Sequence, residues 1–327
     1  MKIFVTGGAG FIGSNFARMV IGGQIPGLEE AKVTVFDSLT YSGTLTNLES
    51  IMSSSKLTFV EGDIRDTDAT RAALSGHDAV VHFAAESHVD RSVLDSKVFV
   101  ETNVLGTHNL LDQALSLGVP RFLHISTDEV YGSIDNGSWD ENQPLLPNSP
   151  YSASKAASDL LVRSYHVTHG LNVSITRCSN NYGPHHFPEK MIPLFITNLL
   201  DEKKVPLYGD GGNSRDWLHV DDHCRGIGLV LQDGLPGEIY NIGGGTELTN
   251  NDLTKLILKA TSRDESFVNS VEDRKGHDRR YSVDISKISN RLGYAPQVSF
   301  KEGLEEVVRW YQANRSWWEP LKTRAKL

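Results

Sequence analysis

Two adjacent carboxylates in the middle of the chain are of a type that could transfer protons. Asp128 and Glu129 follow Thr127 and a short apolar run at residues 122–126. Such a run is typical of a buried parallel strand, and ligands bind beyond the carboxyl ends of the strands in open α/β sheets. We therefore expect both carboxylates at a site of chemistry, although acids here could also cap a helix or a loop.

A tyrosine and a lysine further along the chain have the spacing of a proton-transfer pair. Tyr151 and Lys155 stand at positions i and i+4 after Pro150, which favours the first turn of a helix, so both should lie on one helix face. A phenol titrates near ~10, and a base at neutral pH needs a pKa lower by roughly three units. The ammonium and the hydroxyl of Thr127 can stabilise the phenolate by that amount. Because this spacing also occurs by chance on amphipathic helices, it needs support from other motifs.

The N-terminal segment has the pattern of a dinucleotide-binding turn. A strand at residues 2–6 is followed directly by a glycine-rich stretch and then by a helical pattern. The glycines fit both GxGxxG and GxxGxxG: Gly7, Gly8, Gly10 and Gly13. Glycine allows the tight turn and the close approach of a pyrophosphate, whose charge the helix N-terminus stabilises. The alternative is a turn that is tight for structural reasons only.

Side chains that follow the next strands suggest how such a cofactor would be held. The second strand ends in Asp37, where an acid accepts hydrogen bonds from a ribose diol and repels a 2′-phosphate, so NAD is favoured over NADP. Asp63 and Ile64 follow a third strand and could flank an adenine, or Asp63 could cap the next helix. Ala84 and Ala85 follow a fourth strand, where small side chains let a cofactor lie against the backbone.

The alternation of strands and helices indicates the fold class. It predicts an α/β protein whose doubly wound, parallel Rossmann-type sheet occupies residues 1–177. The rhythm then breaks, and residues 178–327 are expected to form a smaller, substrate-binding α+β lobe. Strand-like segments at 218–222 and 238–242 could return to the main sheet, so segments near 216–245 would belong to the first domain.

The expected helices at residues 95–117 and 151–169 are apolar over more than one face. Helices of this kind are usually buried on two sides. Packing against a second copy of the chain would achieve this, so we predict a homodimer built on a four-helix seam. The first of these helices also carries Thr102 and Asn103, polar groups that a buried face would avoid unless they bind something.

The composition limits the other classes of function. With 327 residues, a net charge of −9, 39% hydrophobic and 22% charged residues, the chain can bury a large core in one two-lobed unit or two domains. We expect no nucleic-acid partner, since a basic stripe is missing, and no membrane partner, since no apolar run approaches ~20 residues. Cys178 and Cys224 lack metal-ligand spacing, so we expect buried thiols, no metal and a cytoplasmic protein.

Basic and amide side chains recur in the second half of the chain in a way that would suit a doubly negative ligand. They are Asn180, Lys190, Arg215, Arg274, His277, Arg279 and Arg280. Guanidinium groups match the oxygens of a diphosphate in bidentate fashion. For each residue taken alone, an exposed surface charge is the simpler interpretation.

Together these motifs resemble those of the extended short-chain dehydrogenase/reductase family, in its branch of nucleotide-sugar 4,6-dehydratases. The resemblance spans nearly the whole chain. It rests on residues 1–13, Asp37, AAESHVDR at 84–91, STDEVYG at 126–132, PYSASK at 150–155, CSNNYGPHHFPEKMI at 178–192, RDW at 215–217 and DRKGHDRRY at 273–281. Lys275 stands where the family often has proline, which would alter the stiffness of a loop without removing a ligand group.

The resemblance implies an NAD-dependent hydro-lyase that converts dTDP-glucose to dTDP-4-keto-6-deoxyglucose and water for deoxysugar biosynthesis. Oxidation at C4, elimination across C5 and C6 and reduction at C6 would regenerate NAD, which could stay tightly bound. Tyr151 would take the proton of the 4-hydroxyl, with Lys155 lowering its pKa and Thr127 hydrogen-bonded nearby. Asp128 would protonate the departing 6-hydroxyl and Glu129 would remove the proton from C5, so one of these acids should have a raised pKa.

The resemblance also implies two sets of binding residues. The set for NAD is Gly7, Gly10, Phe11, Ile12, Gly13, Asp37, Ser38, Leu39, Thr40, Asp63, Ile64, Ala84, Ala85, Ser87, Thr102, Tyr151, Lys155 and Asn181. The set for the substrate is Ser87, His88, Thr127, Asp128, Glu129, Tyr151, Asn180, Lys190, Met191, Pro206, Leu207, Tyr208, Arg215, Asn250, Arg274 and His277.

Two other functions share part of this pattern. A nucleotide-sugar epimerase or decarboxylase of the same superfamily would use the Tyr151/Lys155 pair and the glycine turn, but it would not need Asp128 and Glu129 as acid and base. A non-enzymatic NAD-binding protein would share only the cofactor fold.

Overall fold

A sheet of seven strands forms the centre of the molecule in the computed structural model, which describes residues 1–325. The strand order is β10-β6-β5-β4-β1-β2-β3, and all neighbours are parallel. The order reverses beside β1, as in doubly wound folds, where a crevice opens at that point. The predicted Rossmann-type sheet is therefore confirmed.

The strands are short, as is usual for α/β proteins. Their bounds are β1 Lys2–Thr6, β2 Lys32–Asp37, β3 Leu57–Glu61, β4 Ala79–His82, β5 Arg121–Thr127, β6 Val173–Cys178, β7 Asn180–Tyr182, β8 Val205–Tyr208, β9 Ser214–His219, β10 Ile239–Ile242, β11 Glu247–Thr249 and β12 Val268–Val271.

The helices cover both faces of the sheet and build most of the second lobe. Their bounds are α1 Phe11–Ile21, α2 Thr67–Leu74, α3 Val89–Leu94, α4 Lys97–Phe99, α5 Thr107–Ser116, α6 Pro150–His169, α7 Met191–Leu200, α8 Val220–Asp233, α9 Asn250–Ala260, α10 Ser286–Leu292, α11 Phe300–Ala313 and α12 Arg315–Arg324. Short 3-10 helices lie at Leu45–Ile51, Asp128–Tyr131 and Glu265–Phe267. Within residues 1–325, no helix combines the length and apolar character needed to cross a bilayer.

Both faces of the main sheet are buried. Alternate residues of β1 point to opposite sides, so that Ile3 and Val5 join one apolar cluster and Phe4 joins the other. The first cluster also contains residues of α1 and α8, and the second contains residues of α5 and α6. This double burial explains why the strands are continuous apolar runs in the sequence.

The second lobe has its own core and two small sheets. Its apolar cluster joins α7, α9, α11 and α12, and includes the fully buried Trp318 and Tyr311. One small sheet has the order β11-β9-β7, and the other pairs β12 with β8. The segments that build this lobe are interrupted by α8 and β10, which pack on or within the main sheet.

The prediction that a strand at 218–222 could return to the main sheet is wrong. β9 ends at His219 and lies in the three-stranded sheet, and α8 begins at Val220. The His219 side chain caps α8 by accepting a hydrogen bond from the Asp221 amide at 3.3 Å. Residues 220–222 therefore form the first turn of a helix and not the end of a strand. By contrast β10 does pair with β6 in the main sheet.

The helix expected at 95–117 is interrupted in its middle. It begins at Lys97 and contains a π-helical segment at Val100–Gly106 before α5. There the Asn103 side chain exchanges hydrogen bonds with the backbone of Glu86 and donates to Ser154 Oγ. Asn103 is therefore satisfied by the protein itself, and it ties the loop after β4 to α6.

A capping box starts α6 and orients its first turn. Ser149 Oγ accepts from the Ser152 amide and Ser152 Oγ accepts from the Ser149 amide, both at 3.1 Å. Pro150 occupies the first turn, as predicted, and Gly170 ends the helix with a φ of 69°. The positions of Tyr151 and Lys155 on this helix therefore depend on a cap that the sequence encodes locally.

Replacing the capping hydroxyl should destabilise the protein. We expect Ser149→Ala to lower the free energy of unfolding by about 1 kcal/mol, because a helix amide loses its acceptor. The measurement is the urea midpoint, followed by circular dichroism. Ser164→Ala is the matched control, since Ser164 is exposed on the same helix. Equal midpoints for the two variants would contradict the role of the capping box.

Candidate active site

A cavity of about 500 Å³ runs along the carboxyl edge of the main sheet, from the glycine turn to the second lobe. It is lined by every residue of the predicted catalytic and substrate-binding sets, and by every residue of the predicted cofactor set except Leu39. Leu39 packs against the core with a φ of 49°, and its amide donates to Asp37 Oδ1 at 2.8 Å. The structure therefore gives Leu39 a backbone role beside the cleft.

The glycine turn has the shape needed to hold a pyrophosphate. Gly7 has a φ of 67°, and a Cβ on Gly13 would lie 2.4 Å from the Gly7 carbonyl oxygen. Larger residues would thus force the turn open and move the N-terminus of α1, which begins at Phe11. The amides at that N-terminus are suited to a negatively charged group in the cavity.

The Asp37 carboxylate connects two parts of the cofactor end of the cleft. Its Oδ2 accepts from the Ala9 amide at 2.9 Å, and its Oδ1 accepts from the Leu39 amide. Burial raises the pKa of Asp37, and these two backbone amides oppose that effect. Since each oxygen has a further lone pair and the side chain lines the cavity, hydroxyl groups of a ligand could also donate to it.

Tyr151 and Lys155 are both buried at the centre of the cavity. Lys155 Nζ donates to the Ile125 carbonyl at 2.7 Å, and burial lowers the pKa of this lysine to about 8. With the protein's groups alone, the pKa of Tyr151 is raised well above its usual value, first by burial and then by the charge of Glu129. Burial outweighs the Thr127 hydrogen bond, and the role expected of Lys155 in lowering this pKa stays a prediction.

Asp128 and Glu129 begin the 3-10 helix that follows β5. Its cap is Thr127, whose Oγ1 accepts from the Glu129 amide at 3.3 Å, so the acids are not needed as caps. Burial, followed by the charge of Glu129, raises the pKa of Asp128 well above its usual value. The pKa of Glu129 is also raised by burial, but three cations oppose this: Arg274, Lys190 and Arg215. Of the two, Asp128 is therefore better suited to carry a proton.

Polar atoms that lack a partner within the described protein face the cavity. Asp128 Oδ2, Asn180 Oδ1 and Arg274 Nε are buried without a hydrogen bond from residues 1–325, and all three residues line the cavity. Buried polar groups are normally paired. These atoms are thus available to a polar ligand that spans the cavity.

The basic residues divide into two groups. Lys190, Arg215, Arg274 and His277 line the cavity. Arg215 is held over the Tyr281 ring at 4.2 Å. Arg279 and Arg280 instead pair with Asp210 and Glu247 away from the cavity, so the hypothesis that these two arginines also contact the ligand is not supported by the geometry.

The cavity is also lined by several residues that the sequence motifs did not identify as ligand-binding residues. Among them are Ser42, Gly43, Arg65, Glu86, His186, Phe187 and Glu189. Arg65 binds Asp63 through both carboxylate oxygens, while Asp66 caps α2. The alternative that Asp63 caps this helix is therefore wrong. Glu86 and Glu189 lie inside segments that carry the family resemblance. That resemblance is the sequence signal that could have identified them as cavity residues.

Known proteins resemble the chain over almost its full length. A sequence model described as GDP-mannose 4,6 dehydratase matches residues 4–307. The dTDP-glucose 4,6-dehydratase of Streptomyces antibioticus is 59% identical over 325 residues, which cover 99% of this chain and 96% of that protein.

Solved structures show the same likeness. The structure of DesIV, a dTDP-glucose 4,6-dehydratase from Streptomyces venezuelae with NAD and TYD bound, matches with a TM-score of 0.97 and 60% identity, covering 98% of this chain and 100% of that one. A UDP-glucuronic acid 4-epimerase from Bacillus cereus, with UDP-glucuronic acid and NAD, matches with a TM-score of 0.89 and 30% identity, covering 96% and 99%.

The doubly wound sheet, the glycine turn and the Tyr151/Lys155 pair in one cleft are the features of short-chain dehydrogenase/reductase enzymes that act on nucleotide sugars. Within that class, the length of the family match and the identity to the dehydratase from Streptomyces antibioticus decide the family. The chain belongs to the GDP-mannose 4,6 dehydratase family.

Neutralising Asp128 should stabilise the folded protein. A carboxyl group whose pKa is raised by folding costs stability as the pH rises above about 4, where the unfolded chain ionises. We therefore expect Asp128→Asn to increase the melting temperature by about 2 °C at pH 7, with a smaller gain at acidic pH, measured by calorimetry. Asp135→Asn is the exposed control. A variant less stable than the parent at pH 7 would contradict the raised pKa.

Proposed function

We propose that this chain is an NAD-dependent hydro-lyase that converts dTDP-glucose to dTDP-4-keto-6-deoxyglucose and water, a step of deoxysugar biosynthesis. The observation that carries the proposal is the position of Asp128 and Glu129 in the same cavity as Tyr151 and Lys155. Elimination of water needs one group that removes a proton from carbon and another that protonates the leaving hydroxyl. The cavity contains such a pair beside a tyrosine and a lysine suited to oxidation of an alcohol.

The cofactor end of the cleft fits NAD. The amides at the start of α1 would hold the pyrophosphate, and Asp37 would accept hydrogen bonds from a ribose. When bound, NAD supplies the two-electron acceptor for the oxidation at C4 and a positive charge in the cleft. Because the same molecule is regenerated in each turnover, tight retention does not slow the cycle.

Tyr151 takes the proton of the 4-hydroxyl in this proposal. Its phenol must first lose its own proton, which burial and Glu129 oppose. The positive groups that favour the phenolate are Lys155 and the bound cofactor, and Thr127 contributes a hydrogen bond. Activity should therefore require both the lysine and the cofactor in their charged forms.

Asp128 and Glu129 divide the elimination between them. Asp128 holds a proton because burial and its neighbour disfavour its ionised form, and it donates that proton to the departing 6-hydroxyl. Glu129 lies near Arg274, Lys190 and Arg215, whose charges favour its carboxylate, and it removes the proton from C5. The 4-ketone makes that proton acidic enough for a carboxylate to remove.

The second lobe supplies the groups for the nucleoside diphosphate. Arg215 and Arg274 have planar guanidinium groups that match diphosphate oxygens, and Asn180 has a side-chain oxygen that no residue of 1–325 binds and that could accept from the ligand. Lys190 is buried and donates to the Ser87 carbonyl at 2.7 Å, which fixes the loop after β4 against this lobe. The substrate would therefore bridge the two lobes.

An epimerase is the closest alternative, since a 4-epimerase also matches the fold. Inversion at C4 uses the tyrosine, the lysine and the cofactor, but it removes no water. It gives no use for a protonated carboxyl beside a second, ionisable carboxyl. The acid pair thus favours the dehydratase reaction.

The proposal is tested with purified protein and dTDP-glucose. We expect a 4-keto-6-deoxy product, detected by mass spectrometry and by the ultraviolet absorbance of the ketone in alkali. In single-turnover experiments, Asp128→Asn should slow formation of this product at least ~100-fold, while the 4-keto sugar that retains its 6-hydroxyl accumulates. Equal slowing of both species would count against Asp128 as the acid. Formation of a 4-epimer instead of a ketone would favour the alternative.

We also propose that two copies assemble through a four-helix seam. Large apolar side chains are exposed on the helical segment at Lys97–Ser116 and on α6: Val100 and Leu105 on the first, Leu160 and Val167 on the second. Leu105 and Leu160 are 58% and 57% exposed. Exposed apolar side chains on two helical segments that contact each other favour a surface between subunits.

A charge on this surface should separate the copies. We expect Leu160→Glu to change the sedimentation coefficient from that of a dimer to that of a monomer, because a carboxylate would be buried without a partner. Leu235→Glu is the matched control, since Leu235 is 52% exposed outside both helices. A parent protein that sediments as a monomer, or two variants that behave alike, would refute the seam.

We place the protein in the cytoplasm. Cys178 and Cys224 are both buried free thiols, as expected for a reducing compartment. The proposed substrate is a nucleotide sugar, which cytoplasmic nucleotidyl transfer would supply.

A further inference from the structure

A buried cluster of three charged or titratable side chains adjoins Lys155 and has no part in the chemistry above. His124 lies on β5, Asp159 lies on α6 one turn beyond Lys155, and Arg177 lies on β6. Their exposed fractions are 0%, 1% and 3%. They thus connect the catalytic helix to the two strands beneath it.

Asp159 is held from both strands. Its Oδ2 accepts from Arg177 Nε at 2.9 Å, and its Oδ1 lies 3.4 Å from His124 Nε2. The Arg177 guanidinium in turn lies 4.8 Å from the centre of the Tyr131 ring, and Tyr131 donates to Asn241 Oδ1. The carboxylate is therefore fixed between α6 and the two strands, one helical turn beyond the lysine.

Stability alone does not explain the ion pair between Asp159 and Arg177. Arg177 Nη1 and Asp159 Oδ1 are buried without a hydrogen bond from the described residues. A buried ion pair that is incompletely hydrogen-bonded contributes little net stability, because desolvation offsets the attraction. A role in the neighbouring site is the better explanation for its presence.

The charges that act on Lys155 can be counted from the elements around it. Four titratable neighbours have pKa values shifted so that they are neutral at pH 7: His82 on β4, His124 on β5, Cys178 on β6 and Tyr151 on α6. Burial is the largest cause of each shift. Among these neighbours, Asp159 is the charged side chain that acts on the lysine, and Arg177 is the charge that pairs with Asp159. The 3-10 helix that also packs against α6 carries Asp128 and Glu129, whose charges act on Tyr151.

We propose that Asp159 is a positioning residue that acts through Lys155. As the counter-charge of the lysine, it keeps the side chain in its ammonium form while Tyr151 works, and Arg177 and His124 hold it in place. The proposal rests on the proposed function, in which the charge of Lys155 favours the phenolate.

The protonation states agree with this geometry. Burial opposes ionisation of Asp159, yet Arg177 and His124 lower its pKa to about 2, so it is a carboxylate at neutral pH. Burial lowers the pKa of Lys155 to about 8, and Asp159 opposes that decrease. Without the carboxylate, Lys155 would lose its proton at a lower pH.

Three variants test the proposal through the alkaline limb of the kcat/KM profile, with dTDP-glucose as substrate. Asp159→Asn should move the limb to lower pH by about one unit, because the lysine loses an attractive charge. Arg177→Met should move this limb to higher pH. The negative charge of Asp159 is then no longer offset by Arg177, so it attracts the Lys155 ammonium more strongly. The double variant should lie near the parent. A residue that only supports the fold would lower the melting temperature without shifts of opposite sign.

Limbs that coincide, or that move in the same direction in both single variants, would overturn the proposal. If Asp159→Asn does not fold, Arg177→Met decides alone, and a limb that stays or moves to lower pH refutes the inference. The amount of NAD that stays bound after desalting at each pH gives a second readout of the charge on Lys155, since Lys155 would also bind the cofactor. This readout applies even if the parent is inactive on dTDP-glucose, a result that would refute the function and not the role of Asp159.

Discussion

One hydrogen bond connects the two halves of the chemistry. Lys155 Nζ on α6 donates to the Ile125 carbonyl of β5 at 2.7 Å, and β5 itself pairs with β4 and β6 in the main sheet. β5 ends in Thr127 and leads directly into Asp128 and Glu129, so this contact brings the Tyr151/Lys155 pair to the acid pair. If α6 were shifted by one turn, the lysine would lose its acceptor and the tyrosine would leave the cavity.

The second constraint is the free-energy cost of keeping charged side chains in a buried cleft. Lys155, Lys190, Arg215, Asp128 and Glu129 all line the same cavity, and burial is the largest influence on the pKa of each. Burial disfavours the charged form of every one of them. Neighbouring charges then decide which groups remain ionised. Burial raises the pKa of both adjacent acids, but the three cations near Glu129 oppose the increase there, so Asp128 is the better suited of the two to carry a proton.

The two lobes are joined through the cleft and not by a single linker. β10 and α8 return to the main sheet after the chain has entered the second lobe, and Lys190 and Asp216 bind backbone groups from distant segments. In a fold of this kind, a ligand that contacts both lobes contacts parts of the chain that are far apart in sequence. This arrangement explains why the substrate residues are scattered from Ser87 to His277.

Local sequence patterns determined the elements and most of the candidate site. The apolar runs predicted the parallel strands, the glycines predicted the turn, and Pro150 predicted the start of α6, because each depends on interactions within a few residues. The family resemblance supplied the residue roles. Periodicity failed at residues 220–222, which continue the strand pattern but form the first turn of α8, and at residues 100–106, where a π-helical segment interrupts the expected helix.

Only the tertiary structure decided which charges act on one another. It assigned Arg279 and Arg280 to surface pairs, packed Leu39 against the core, and placed the ion pair of Asp159 and Arg177 one turn beyond Lys155. It also showed that burial raises the pKa of Tyr151, where the motif alone suggested the opposite. Desolvation and charge interaction depend on distances between segments that are remote in sequence, and no local pattern of residues contains those distances.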